Sequence, residues 1–333
     1  LTSVADTVAN ITSINEISNS EVNMASASIT VTDQITKSQA DTINGYTTGT
    51  VTLSSVADTV ANITAINALT TSEVNMASAS ITVTDQITKA NADTINGYTT
   101  GIVTPTSLTE DRADIATLQG TTGISLATTN ITVTDQVTKA QADTINTYTT
   151  GQVVLNSSSM TVTELAAVEA LNDSEMKFAD DGAISVSDAV TKANTDTINT
   201  FTTGQVTLTS VADTFANITA IDALTTSEVT MGAANITVTD QITSSQAEIV
   251  KGFTTGEIVV NILPDINDGQ ASFSINGTAA VGNTLSINED DADPDGTGTL
   301  SYSWQTSSDN STWSVVGTNA TYTVGASEEG KSI

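Results

Sequence analysis

The run Asp291-Ala292-Asp293-Pro294-Asp295-Gly296 puts three carboxylates at alternate positions ahead of a glycine. In that pattern the oxygens converge on a hard cation and Gly permits the sharp turn, so it fits the first half of a Ca2+ loop. The twelfth position, where an EF-hand needs Glu, is Tyr302, and an EF-hand is therefore rejected. Two readings stay open: a looser interstrand Ca2+ site at Asp291, Asp293 and Asp295 with Glu289 and Asp290 nearby, or an ordinary acidic turn. A second set of acids, Asp33, Asp85, Asp135, Asp188 and Asp240, recurs through the chain. It could collect Ca2+ or cap the helix that follows each Asp, and capping is the favoured reading. The glycine-rich nonapeptide of Ca2+ β-rolls is absent.

Composition removes most other chemistry. The 333 residues contain no His and no Cys, so nucleophile pairs that need either residue, haem, iron–sulfur clusters, the usual zinc sites and disulfides are all excluded. Acidic residues number 38 against 8 basic ones, a formal charge of -30. Such a field repels phosphate backbones and anionic lipid, which argues against nucleic-acid and membrane-surface partners. At 38% hydrophobic residues, rich in Val, Ile and Thr, the chain is too apolar for disorder. No run approaches the roughly 20 apolar residues of a membrane span. The chain opens on Leu1 rather than Met, and is expected to be cut from a longer one.

The elements that carry these residues come from an internal repeat. Ile29-Thr30-Val31-Thr32-Asp33 returns at Ile81, Ile131, Ile184 (with Ser for Thr) and Ile236, at spacings of 52, 50, 53 and 52 residues. A fixed period of this size marks a stacked array. Ser3-Val4-Ala5-Asp6-Thr7 returns at Ser55 and Ser210, with diverged versions near Asp114 and Glu164, and each period divides into two similar halves. Ile-Thr-Val-Thr alternates apolar and hydroxyl side chains and reads as a half-buried strand. Val56, Val60, Ile63 and Ile66 then fall at helical spacing, with Ser55 as the expected N-cap and Asp58 in the first turn. Thr-Thr-Gly is expected to end the helix, with Gly left-handed. The sum is an α/β repeat solenoid over 1–262, a parallel sheet with a row of short helices and a leucine-rich-repeat-like architecture without that consensus. The alternative is a parallel β-helix array without helices.

Equivalent residues form columns. Tyr46, Tyr98, Tyr148, Phe201 and Phe253 form an aromatic one. Tyr–Phe exchange favours packing, in alternation with Leu69, Leu171 and Leu224, over a sugar-binding stripe. Lys37, Lys89, Lys139 and Lys192 each precede an Asp by four residues, which reads as an exposed helix pair. Thr30 and Thr32, Thr82 and Thr84, Thr132 and Thr134, Ser185 and Ser187, and Thr237 and Thr239 put a ladder of hydroxyls on one sheet face. The favoured reading is a solvated face. Such ladders also resemble the ice-binding faces of some β-solenoid antifreeze proteins.

From about Asn267 the repeat stops and both tryptophans, Trp304 and Trp313, appear. Residues 263–270 read as a linker and 271–333 as a partial, all-β immunoglobulin-like sandwich, with strands expected at 271–276, 284–288, 300–305, 313–316 and 320–324 and Trp304 as core anchor. Five strands and the start of a sixth, where a sandwich normally has seven, imply that the chain ends inside a domain.

The stretch Ala292-Asp293-Pro294-Asp295-Gly296 through Leu300-Ser301-Tyr302-Ser303-Trp304-Gln305, with Ser308-Asp309, Trp313 and Glu329-Gly330-Lys331, resembles the immunoglobulin-like repeats of very large bacterial surface and secreted proteins. The 52-residue array is similar to repeats of giant marine cyanobacterial and proteobacterial proteins of the adhesin and type I secretion kind. The resemblance implies an extracellular, modular, Ca2+-rich surface protein whose partners are cell-surface glycans or other surface proteins. The expected function is a non-enzymatic extracellular structural and adhesion module, a stalk or cell-surface spacer. Its alternatives are a glycan- or surface-binding solenoid, an ice-binding face, or a polysaccharide-acting enzyme. For an enzyme the place to look is the irregular unit with Glu110, Asp111, Arg112 and Asp114, which drift in a redundant repeat explains more simply.

Overall fold

A computed structural model of the protein describes every residue except 18–20, 71, 172, 225–227, 264–268, 294, 295 and 297. The chain divides into two compact units, Leu1–Ile262 and Leu263–Ile333. The first is an α/β solenoid. Its strands form a single parallel sheet of 13, eleven of them in a row that follows chain order, with two-residue strands at Val74–Asn75 and Val229–Thr230 off the path. Short helices, most of eight residues, alternate with the strands, from Val8–Glu16 to Ser244–Lys251. The helices rule out the helix-free β-helix, and the reason is local. Every strand must cross over to reach its parallel neighbour, and most crossovers carry apolar side chains at helical spacing, such as Ile63 and Ile66, that are fully buried.

Strand alternation sets the core. In Ser80–Ile87 the inward Ile81, Val83 and Ile87 are buried, while Ser80, Thr84 and Gln86 are exposed. These side chains join Ala92 and Ile95 of the helix Lys89–Asn96 in one continuous aliphatic core. Full burial of each Ile or Leu contributes about 1.5–3 kcal/mol, and no coil has a core of its own. Register shifts recur where Asp33 and Asp85 stand, between Val31 and Gln34 and between Val83 and Gln86. Alternation places Asp33 and Asp85 on the inward side with Val31 and Ile35 and with Val83 and Ile87, toward the helix layer, where each carboxylate accepts from a helix N–H.

The helix start differs from the sequence expectation. Ser55, Val56 and Asp58 belong to the strand Val51–Asp58, and the helix Val60–Asn67 begins after Thr59, whose hydroxyl accepts from the Asn62 N–H. Val56 is buried as an inward strand residue, so helical spacing across the junction was coincidental. Thr at the N-cap is general in the array, Asp111 taking its place once, and six Thr caps form a capping box.

The second unit has two small antiparallel sheets, one joining Ser272–Asn276, Thr284–Asp291 and Thr321–Thr323, the other Trp304–Thr306 and Ser314–Gly317. Trp304 is buried with Leu285 and Val324, stacks on Tyr322 at 5.8 Å and donates from Nε1 to the Asn319 carbonyl. The tight turn at Asp309 brings the Thr312 and Ser311 N–H groups and the Ser307 hydroxyl onto its carboxylate, which holds it well below the usual carboxylate range. Most of the expected linker, 264–268, lies outside the described residues.

Candidate functional site

Carboxylates, hydroxyls and glycines repeat in register through the solenoid, and each set joins one coil to the next. The Asp column does cap helices, but in the opposite direction from the one expected. Asp33 accepts from the Val8 N–H, Asp85 from Val60, Asp135 from Arg112, Asp188 from Val162 and Asp240 from Phe215, at 2.8–3.0 Å. Each acceptor lies one strand ahead of the helix it caps, so the bond ties neighbouring coils together. A second column does the same for the alternate helices: Asp58 on Lys37, Glu110 on Lys89 and Asp213 on Lys192, at 2.6–2.8 Å. The first N–H groups of a helix lack intrahelical partners and carry its positive end, so a carboxylate there satisfies a donor and a dipole together. Among the described residues the helix at Lys139 meets no such acid, because the matching strand position is the buried Met160.

Burial works against ionisation of Asp58 most strongly of any single influence, yet the Asn62 amide and the Lys37 and Thr59 N–H groups together hold its carboxyl below the ordinary value. Asp213 behaves alike. Burial opposes its charge, and the Lys192 N–H, the Asn217 amide and the Thr214 N–H outweigh it.

Thr-Thr-Gly is a clamp between coils rather than a left-handed helix stop. The first Thr of each copy is buried and donates to a carbonyl of the preceding coil: Thr47 to Ala27, Thr99 to Ala79, Thr149 to Thr129, Thr202 to Gly182 and Thr254 to Ala234, at 2.6–2.7 Å. The same oxygen accepts from the Gly N–H two residues on. None of these glycines has positive φ. They are required because a Cβ at Gly49, Gly101, Gly151, Gly204 or Gly256 would lie 2.3–2.4 Å from a backbone oxygen of the preceding coil.

The remaining columns fall where packing places them. The five rings are partly buried against the core, as are Leu69, Leu171 and Leu224, and Phe201 also stacks on Phe178 at 6.3 Å. Lys37, Lys89, Lys139 and Lys192 pair with the Asp four residues on, at 2.5–2.6 Å on the exposed helix face. Arg112 and its acidic neighbours form no acid–base pair: Glu110 caps Lys89, Asp111 caps Asp114, and the Arg112 N–H donates to Asp135.

Of the candidate Ca2+ ligands, Asp295 lies outside the described residues. Asp291 ends a strand and accepts from the Ser272 hydroxyl at 2.8 Å, while the Asp293 carbonyl accepts from the Gly296 N–H. Among the described residues no three acidic side chains are grouped to hold a metal. The second unit also carries an open apolar cavity of about 530 Å3, walled by Phe273, Ile275, Ile287, Leu300, Trp304 and Trp313, which the strand pattern alone did not announce. No protein family, curated protein or solved structure matches the chain.

Proposed function

We propose that the chain is a non-enzymatic, extracellular structural and adhesion module, in which the solenoid sets reach and stiffness and the second unit is an immunoglobulin-like repeat that continues the stalk. The observation that carries this reading is redundancy: helix-capping carboxylates recur along the array, the Thr-Gly clamp recurs at every second joint, and the charged irregularity around Arg112 makes caps of the same kind. Catalysis needs a unique constellation, whereas a spacer needs only identical joints that add length. Eleven strands in a row give roughly 50 Å of array at the usual strand spacing. The high negative charge suits a solvated, unaggregated surface segment, and among the described residues no helix is long and apolar enough to cross a membrane.

The second unit supports its part of the reading through short antiparallel strands around a buried Trp304. Antibody raised against the solenoid should label intact cells that express the parent gene. Labelling only after lysis would overturn the extracellular assignment.

A further inference from the structure

The solenoid leaves one face of an all-parallel sheet open, where such sheets are ordinarily covered on both sides. Its charge is unevenly distributed. Strand carboxylates such as Asp33, Asp58 and Asp85 turn to helix N-termini, and the Lys–Asp pairs lie on the helices. What remains outward on the strands is mostly hydroxyl and amide, as at Thr84, Gln86, Thr106, Thr134, Asn156 and Thr209, interrupted by charge at Lys177, Asp180 and Asp181 and by apolar Ala183, Ala189 and Val259. A chain of net charge -30 thus presents an almost uncharged, hydrogen-bonding face along its row of strands. Part of that face is already held in place: Gln34 donates to Thr82 at 3.2 Å, reaching across the intervening strand, and Gln86 donates to Thr109.

We propose that this face binds a neutral β-1,4-linked polysaccharide laid across the strands. Charge selects the class. Anionic glycans meet the repulsion of the whole molecule, and cationic ones are drawn to the acidic helix side. Spacing selects the linkage, because strands stand about 4.8 Å apart, close to what one pyranose unit adds to an extended β-1,4 chain. Successive sugars therefore meet successive strands over several coils. Each contact is a weak hydrogen bond exchanged with water, so affinity comes from many in series. Ala57, Val154 and Ala212 break the hydroxyl pattern, which a regular water lattice would not tolerate but an adaptable chain does. The proposal names the adhesive surface of the module described above. The spacer role does not depend on it and is tested separately by cell labelling and by force.

The full chain should co-sediment with microcrystalline cellulose or chitin, equally at about 50 and about 500 mM NaCl because no charge is involved, and soluble cellohexaose or chitohexaose should release it. Thr84→Glu, Thr134→Glu and Ser187→Glu together, at exposed outward positions, should weaken retention by about tenfold or more, while Asp143→Asn on a helix should not. Retention on neither glycan, retention lost at high salt, or retention unchanged by the triple variant would overturn the proposal. So would self-association through this face without glycan, read by sedimentation equilibrium. If the triple variant fails to fold, competition by the soluble oligosaccharide decides: release supports the proposal, and no release overturns it.

Discussion

Replacing Gly101 by Ala tests the clamp at atomic scale. The added Cβ would stand 2.3 Å from the Ala79 carbonyl oxygen and 2.6 Å from its carbon, both backbone atoms with no flexible end to move aside. An ordinary carbon–oxygen approach is about 3.3 Å, so the two coils must part by roughly 1 Å. That separation breaks the bond from Thr99 to Ala79 (2.7 Å) and the bond from the Thr100 N–H to Ala77 (2.8 Å), and leaves the buried Thr99 O–H without its acceptor, although its oxygen still accepts from the N–H of residue 101. At about 1 kcal/mol per bond and 1–3 kcal/mol for the stranded donor, the loss is about 3–5 kcal/mol. Gly97→Ala is the control, since that helix C-cap has φ -70, its Cβ would meet Thr94 O at 3.2 Å, and the equivalent positions in later copies are Thr147 and Thr200. A repeat array need not unfold in two states, so the assay is local: hydrogen exchange of peptides spanning 74–103. Opening should become easier by the stated amount for Gly101→Ala and by less than about 0.5 kcal/mol for Gly97→Ala. Equal effects, or a loss under about 1 kcal/mol at Gly101, would refute the clamp.

Asp85→Ala should loosen the helix Val60–Asn67 by about 1 kcal/mol and leave Lys89–Asn96 unchanged, as hydrogen exchange can read; loosening of the later helix instead would return the capping to the direction first expected. Asp58 and Asp213 ionise more readily folded than unfolded, so their stabilisation is present above about pH 4 and is lost as pH falls through their depressed values. Melting temperature should therefore hold from about pH 7 to 5 and fall below about 4, and no fall would contradict the assignment. Ser158 has a buried hydroxyl with no partner among the described residues, at the strand position where Val56 and Val211 stand in other copies, so Ser158→Val should stabilise by about 1 kcal/mol in a thermal melt.

Much of this was legible in the sequence because it lies within one coil. Period 2 in Ile-Thr-Val-Thr and period 3.6 in Ala-Asp-Thr-Ile-Asn report which side chains face the core, and the repeat reports that neighbours supply the rest. What misled was whatever depends on the neighbouring coil. Asp85 precedes its own helix in the chain, and only stacking shows that the N–H it meets is Val60, 25 residues back. Gly101 resembles a helix stop because the sequence shows no sign of the Ala79 carbonyl against it. Val56 continued the helical spacing because an inward strand residue and the first inward helix residue happen to be four apart. The Asp columns left a cation reading open beside the favoured capping one, because periodic acids look alike whether they meet a metal or a backbone N–H.

A spacer held by repeated nearest-neighbour joints should come apart piecewise, which stretching single molecules of the full chain can read. The solenoid should yield in a series of steps of about 90 Å, one half-unit of about 25 residues at a time. One cooperative release of the whole solenoid would contradict this.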